Sequence, residues 1–226
     1  MCAGLTGILS AGTAAVEKAF SEAIGSQGIV PGTTAYARCM VQVHRASGQH
    51  DIDVFRALFP GNEARAQAGS LAFTRSFAAA IDRGALSPPE GAEAALDKLT
   101  GAGLRVCVLS GFSRQLSVEV LRALGWHDRV CLLVSAEDCP RGCPSPDPVL
   151  TAVLRAGIDA VHEVAVVGGT ESVILCGCQA GARLVVGILT GPHSEARLRG
   201  AGATHLVPSM AEVPEVVIAH GTERAS

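Results

Sequence analysis

Five short apolar runs recur along the chain, at residues 3–9, 105–109, 130–134, 164–167 and 183–187. Each is bounded by Gly, Ser or Asp, and each predicts a buried parallel strand. Most are separated by amphipathic segments of helix length. Residues 90–102 and 115–124 predict helices, the second beginning after Ser113. A third spans 147–156 and is entered through Pro144 and Pro146. Strand alternating with helix predicts a doubly wound, Rossmann-like α/β core with a parallel sheet. Ligands of such sheets bind beyond the carboxyl ends of the strands.

One block breaks the alternation. Between residues 16 and 84 no buried strand is evident, and the periodicity predicts helices at 14–24, 33–45, 51–58 and 62–83. The expected organisation is therefore an α/β core of residues 1–15 and 85–226, with a helical cap, 16–84, inserted after the first strand. Ser87-Pro88-Pro89 marks the return to the sheet. No internal repeat or low-complexity linker is present.

Composition narrows the classes. The chain has 226 residues, 48% hydrophobic and 17% charged, which suffices for a substantial core. Six Phe, one Trp and one Tyr make that core mostly aliphatic. A net charge of −3 and no basic run argue against nucleic acid. Mean hydropathy is positive, yet no apolar run reaches the ~18–20 residues of a spanning helix. The first residues lack a basic region before the apolar stretch, so neither a signal peptide nor a membrane partner is expected, and the expected location is cytoplasmic. Eight scattered Cys, with Cys107, Cys131 and Cys176 inside apolar runs, suggest reduced, buried thiols.

Several local motifs then fall into order: Ala11-Gly12-Thr13; Pro88-Pro89-Glu90-Gly91; Leu109-Ser110-Gly111-Phe112-Ser113-Arg114; Leu124-Gly125-Trp126; Gly142-Cys143-Pro144-Ser145-Pro146-Asp147; Val164 to Gly191; and Gly200 to Thr204. From about Leu9 to Pro214 the chain resembles the phosphonatase-like branch of the haloacid dehalogenase (HAD) superfamily. That resemblance implies a phosphotransferase scaffold with an Asp nucleophile, a basic residue that neutralises the phosphoryl group, and Mg²⁺ held by carboxylates. The matching positions here are Leu9, Cys143, and Gly169 with Val173. A leucine cannot attack phosphorus, and Mg²⁺ demands oxygen ligands. No acid precedes Glu17, so a shift of the match by a residue or two would not restore the nucleophile. The expectation is no Mg²⁺ site and no other cofactor.

What survives is a set of small turns. Ser110-Gly111 follows a strand and precedes a helix, where free N–H groups and the helix dipole favour an anion. The plainer alternative is that Ser110 or Ser113 caps the helix. Thr13, Gly169 and Thr170 lie in similar turns, and Glu171 is the remaining acid of the last motif. Arg141 reads as a solvated loop arginine. The turn Ser47-Gly48-Gln49-His50-Asp51-Ile52-Asp53 corresponds to the family loop that reaches the site, with an acid near the family's Lys position. Asp51 with His50 forms a candidate general base, although acids also favour a helix start. His44 is close in sequence but off the helical spacing. Cys139, Cys143, Cys176 and Cys178 have spacings atypical of zinc. His193 and His205 read as surface or loop histidines.

Two function classes follow. The first is a metal-independent biosynthetic enzyme that clamps the phosphate or sulfate leaving group of a small molecule during cyclisation or elimination. Ser110, Gly111, Thr13, Gly169, Thr170 and Glu171 would bind, and Asp51 or His50 would act as base. The second is a non-catalytic pseudoenzyme. A small partner subunit or a homo-oligomer is compatible with either.

Overall fold

The computed structural model describes residues 1–4 and 13–222. Six strands build one parallel sheet: β1 (Cys2–Gly4), β2 (Cys107–Leu109), β3 (Leu132–Val134), β4 (Ala165–Gly168), β5 (Leu184–Ile188) and β6 (His205–Val207). Their order is β3-β2-β1-β4-β5-β6. Ala3 of the central strand lies opposite Val108 on one side and Val167 on the other. The chain winds outward from β1 through β2 to β3, then crosses back to β4. The crevice at that switch is where a parallel sheet binds its ligand.

The helices in chain order are α1 (Thr13–Ser26), α2 (Thr34–Arg45), α3 (Asp51–Leu58), α4 (Glu63–Asp82), α5 (Ala92–Gly101), α6 (Arg114–Ala123), α7 (Asp147–Ala156), α8 (Glu171–Ala180), α9 (Glu195–Gly200) and α10 (Val213–Thr222). Strand residues alternate between two apolar clusters because successive side chains leave opposite faces. Val108 and Val167 pack with Leu96, Leu116 and Val213 from α5, α6 and α10. Cys107, Leu109 and Val166 pack with Val149 and Val173 from α7 and α8. Burial on both faces is why the strands read as unbroken apolar runs.

Helices α1–α4 pack chiefly on one another. All six phenylalanines gather there and at the turn after β2. Phe20 stacks on Phe73 at 4.2 Å between ring centroids. Phe73 and Phe77 reach Phe112 at 5.8 and 5.3 Å. Helix starts follow local chemistry: Thr33, Asn62, Ser113 and Thr170 accept from the first-turn amides. Gly157 and Gly181 close α7 and α8 in the left-handed conformation.

Several expectations need correction. A sixth strand, β6, places His205 on the sheet edge, exposed but not in a loop. β2, β3 and β5 begin after Arg105, Val130 and Arg183 because those first residues stay outside the ladder. Leu9 and Ala11-Gly12 lie outside the described residues. Cys131 and Cys178 are exposed, whereas Cys176 is buried on a helix. No helix of the described residues is long and apolar enough to cross a membrane.

One polar network pins α6 and α7 beside the sheet. The Asp138 carboxylate, 8% exposed, takes Arg114 from α6 and Arg155 from α7. It also accepts the Ser135 N–H at 2.7 Å and the Ser135 hydroxyl at 2.6 Å. Burial by itself raises its pKa. The Ser135 and arginine hydrogen bonds outweigh burial and hold the carboxyl well below its usual 3.8. Its stabilisation is therefore complete above that value and is lost as the pH falls through the depressed one. Asp138→Asn is expected to lower stability by about 2 kcal/mol near neutral pH. Urea midpoints should also fall less on acidification for the variant than for the parent. Parallel acid profiles would refute this account.

Candidate active site

β2 ends at Leu109, and Ser110-Gly111-Phe112-Ser113 turns the chain into α6. Ser113 is the residue that caps this helix, accepting the Leu116 N–H. Ser110 is left for other work: its Oγ accepts the Phe112 N–H at 3.1 Å and pairs with Ser117 Oγ at 2.8 Å. Two strands away, beyond β1, Gly168-Gly169-Thr170 turns the chain from β4 into α8. Thr170 is fully buried, and its Oγ1 accepts the Val173 N–H at 3.4 Å. Thr13 is the first residue of α1.

The turn between α2 and α3 lies directly on these glycines. A Cβ on Gly111 would collide with the Gln49 carbonyl, 2.8 Å from its carbon atom. On Gly142 it would stand 2.5 Å from His50 Nε2. Gly48, with φ +86°, sits so close to Thr170 that a Cβ there would be 2.6 Å from Oγ1. Three hydrogen bonds add to this contact. The Ser172 hydroxyl donates to the Ser47 carbonyl at 2.6 Å, His193 Nε2 to the His44 carbonyl at 2.7 Å, and the Asp51 N–H to the Gly111 carbonyl at 3.3 Å.

Two cavities remain. The first, about 10 Å³, is lined by Ser110, Gly111, Gly48, His50, Cys143 and Val173. The second, about 30 Å³, is mainly apolar, walled by Phe20, Val43, Val54 and Phe112, with Asp51, Glu17 and His44 on its edge. His50 and Asp51 therefore face different spaces and are not a hydrogen-bonded pair. The nearest carboxylate to His50 Nδ1 is Asp53, at 3.8 Å. Asp51 instead accepts the Ser70 hydroxyl at 2.7 Å. Burial raises the Asp51 pKa, and the Ser70 hydrogen bond offsets only part of that.

Other expected groups are engaged elsewhere. Glu171 is held by Arg197 and does not line the Ser110 cavity. Arg141 pairs with Asp147 at the surface. His193 is neither a surface nor a free loop histidine: it is 4% exposed and bonded at both ring nitrogens. Ser172 carried no signal in the sequence, and Ser47 stood out only as the first residue of its turn.

Gly169 and Val173, which the resemblance sets at the metal positions, offer no side-chain oxygen to a hard cation. Gly169 has no side chain, and Val173 is buried flush against Gly168. Among the described residues no group of three His, Cys, Asp or Glu is arranged to hold a metal ion. A hydrogen bond with Cys176, together with burial, keeps the Cys143 thiol protonated, so no charge replaces the family's basic residue there.

A family model for haloacid dehalogenase-like hydrolases matches residues 5–181. A phosphoglycolate phosphatase of Neisseria meningitidis is 30% identical over 124 residues, 55% of this chain and 52% of that protein. An imidazoleglycerol-phosphate dehydratase of Phytophthora nicotianae is 36% identical over 85 residues, 38% of this chain and 18% of that protein. The chain thus spans about half or less of these curated relatives. A hydrolase from Pseudomonas syringae has a TM-score of 0.82 at 21% identity, covering 100% of this chain and 98% of that one. A phosphonoacetaldehyde hydrolase-like protein from Oleispira antarctica has a TM-score of 0.80 at 19% identity, covering 96% and 90%. Such identities speak for the fold alone. Sheet order and the family match over residues 5–181 agree, and the chain belongs to the haloacid dehalogenase-like hydrolase family.

Proposed function

We propose that this chain is a non-hydrolytic, metal-independent member of its family. It receives a small molecule carrying a phosphate or sulfate at the Ser110–Gly111 turn, between a core of residues 1–15 and 85–226 and a cap of 16–84. The observation that carries this reading is the lining of the 10 Å³ cavity. Ser110, Gly111 and His50 face it, whereas the carboxylates of Asp51 and Glu171 do not. An anion seated there meets a hydroxyl, backbone and an imidazole, with no carboxylate to repel it.

Chemistry at such a seat is displacement at carbon. A nucleophilic group of the substrate forms the new bond, the C–O bond breaks, and its electron pair leaves on the phosphate or sulfate oxygen. The nucleophile's proton passes to His50, and Ser110 with the adjoining turn stabilises the departing oxyanion. Thr13, Gly169 and Thr170 contribute small turns on the same edge. Asp51, held uncharged more readily by burial, bounds the second cavity and touches the rest of the molecule.

A purely binding role is the second reading. It is favoured by the closed geometry, since about 10 Å³ holds a single water and the 47–50 turn must lift to admit more. Calorimetric titration with inorganic phosphate and with sulfate, in chelator, tests the shared part. Binding at about a millimolar is expected, weakened roughly tenfold by Ser110→Ala. No binding of either anion, or hydrolysis of a chromogenic phosphate ester abolished by chelator, would overturn it. Turnover lost in His50→Asn with anion binding retained selects the enzyme over the binding protein.

A further inference from the structure

His193 has no part in that chemistry, yet it is buried and fully bonded. It follows β5 and bridges the helical cluster to the sheet. Its Nδ1 accepts the Glu171 N–H at 2.8 Å, and its Nε2 donates to the His44 carbonyl at 2.7 Å. Only the neutral ring with its hydrogen on Nε2 makes both bonds. We propose that His193 is a positioning residue that latches helices α1–α4 down over the Ser110 turn, and that taking up a proton releases the latch. The inference deepens the reading above, because it concerns access to that same cavity.

A proton on Nδ1 faces the Glu171 N–H, donor against donor. The resulting cation lies at the N-terminus of α8, the positive end of the helix dipole. Arg197 is beside it, and so is the His44 ring, whose Nδ1 stands 3.6 Å from Glu17. The His44 carbonyl, which accepts from Nε2, and Glu171 both favour the cation, but Arg197 already engages that carboxylate and burial outweighs both. Burial, the largest influence, lowers the His193 pKa from its usual 6.5. The latch is thus complete above that value and weakens as the pH falls through the lowered one. Ser172, bonded to the Ser47 carbonyl, is a parallel tie that does not titrate.

Amide hydrogen exchange without any ligand tests this. The reporter is the Asp51 N–H, bonded to Gly111, with Val166 and Val186 amides as controls for global unfolding. In the parent protein, Asp51 exchange, corrected for its intrinsic rate, should rise between about pH 8 and about pH 5 while the controls hold. His193→Ala should exchange about tenfold faster at the higher pH and show no further rise. Ser172→Ala should exchange faster yet keep the pH step, and His44→Asn should also keep it. A step that survives in His193→Ala, or disappears in His44→Asn, overturns the proposal. Because no anion is added, that failure leaves phosphate binding intact, whereas loss of binding alone strikes only the earlier reading.

Discussion

Phe73→Ala is expected to cost about 3–5 kcal/mol, a large share of the 5–15 kcal/mol typical of whole domains. Phe73 is fully buried and stacks on Phe20. It also touches Phe77 and Phe112. The last of these belongs to the Ser110 turn, so the deletion leaves a cavity between the helical cluster and the sheet. The loss should appear as a lower urea midpoint, accompanied by faster exchange at Asp51. A midpoint within the range of a surface substitution would mean that Phe73 does not join the two layers.

A comparable effect is expected from Val173→Asp, which places a carboxylate where the resemblance implies one. Val173 is 3% exposed, packed with Leu109, Cys143, Val166 and Cys176. An unpaired carboxylate there costs about 3 kcal/mol, of which the amides at the start of α8 offset up to about 1 kcal/mol. Adding Mg²⁺ should leave the Tm of the variant unchanged, because Gly169 offers no side-chain oxygen and its carbonyl already accepts the His193 N–H. A variant as stable as the parent, with a Tm raised by Mg²⁺, would show that a metal seat persists under the apolar surface.

Much of the fold was legible in the sequence. Helices 51–58 and 147–156 were delimited to the residue, since acids and prolines mark their starts and apolar periodicity fills them. A doubly wound parallel sheet follows from strand–helix alternation once the helical block is set aside, but its strand order does not. The edge strand β6 escaped because its three residues sit between Thr204 and Pro208 and carry one apolar face. The site was legible only in outline. Gly111 read as part of an anion-binding turn, and Gly48 and Gly142 only as parts of longer motifs; in the structure the groups packed against all three belong to the same chain. The contacts closing the cleft run through the carbonyls of His44, Ser47 and Gln49, and a carbonyl carries no residue identity. His193 was misread for a related reason: its partners are main-chain atoms distant in sequence, which no spacing rule reaches.

The placement of β1 has a consequence for biosynthesis. Cys2 pairs in register with Cys107 and Val166, so β1 occupies the middle of the sheet and is made before both of its neighbours. At typical elongation speeds that interval is on the order of 10–30 s. During it, α1–α4 can condense through their own close contacts, as locally connected helices do quickly. The helical cluster can therefore pack before the sheet that it covers is complete. Until residue 168 has been made, β1 lacks one of the two strands that cover its edges, and an uncovered strand edge is open to pairing with another chain.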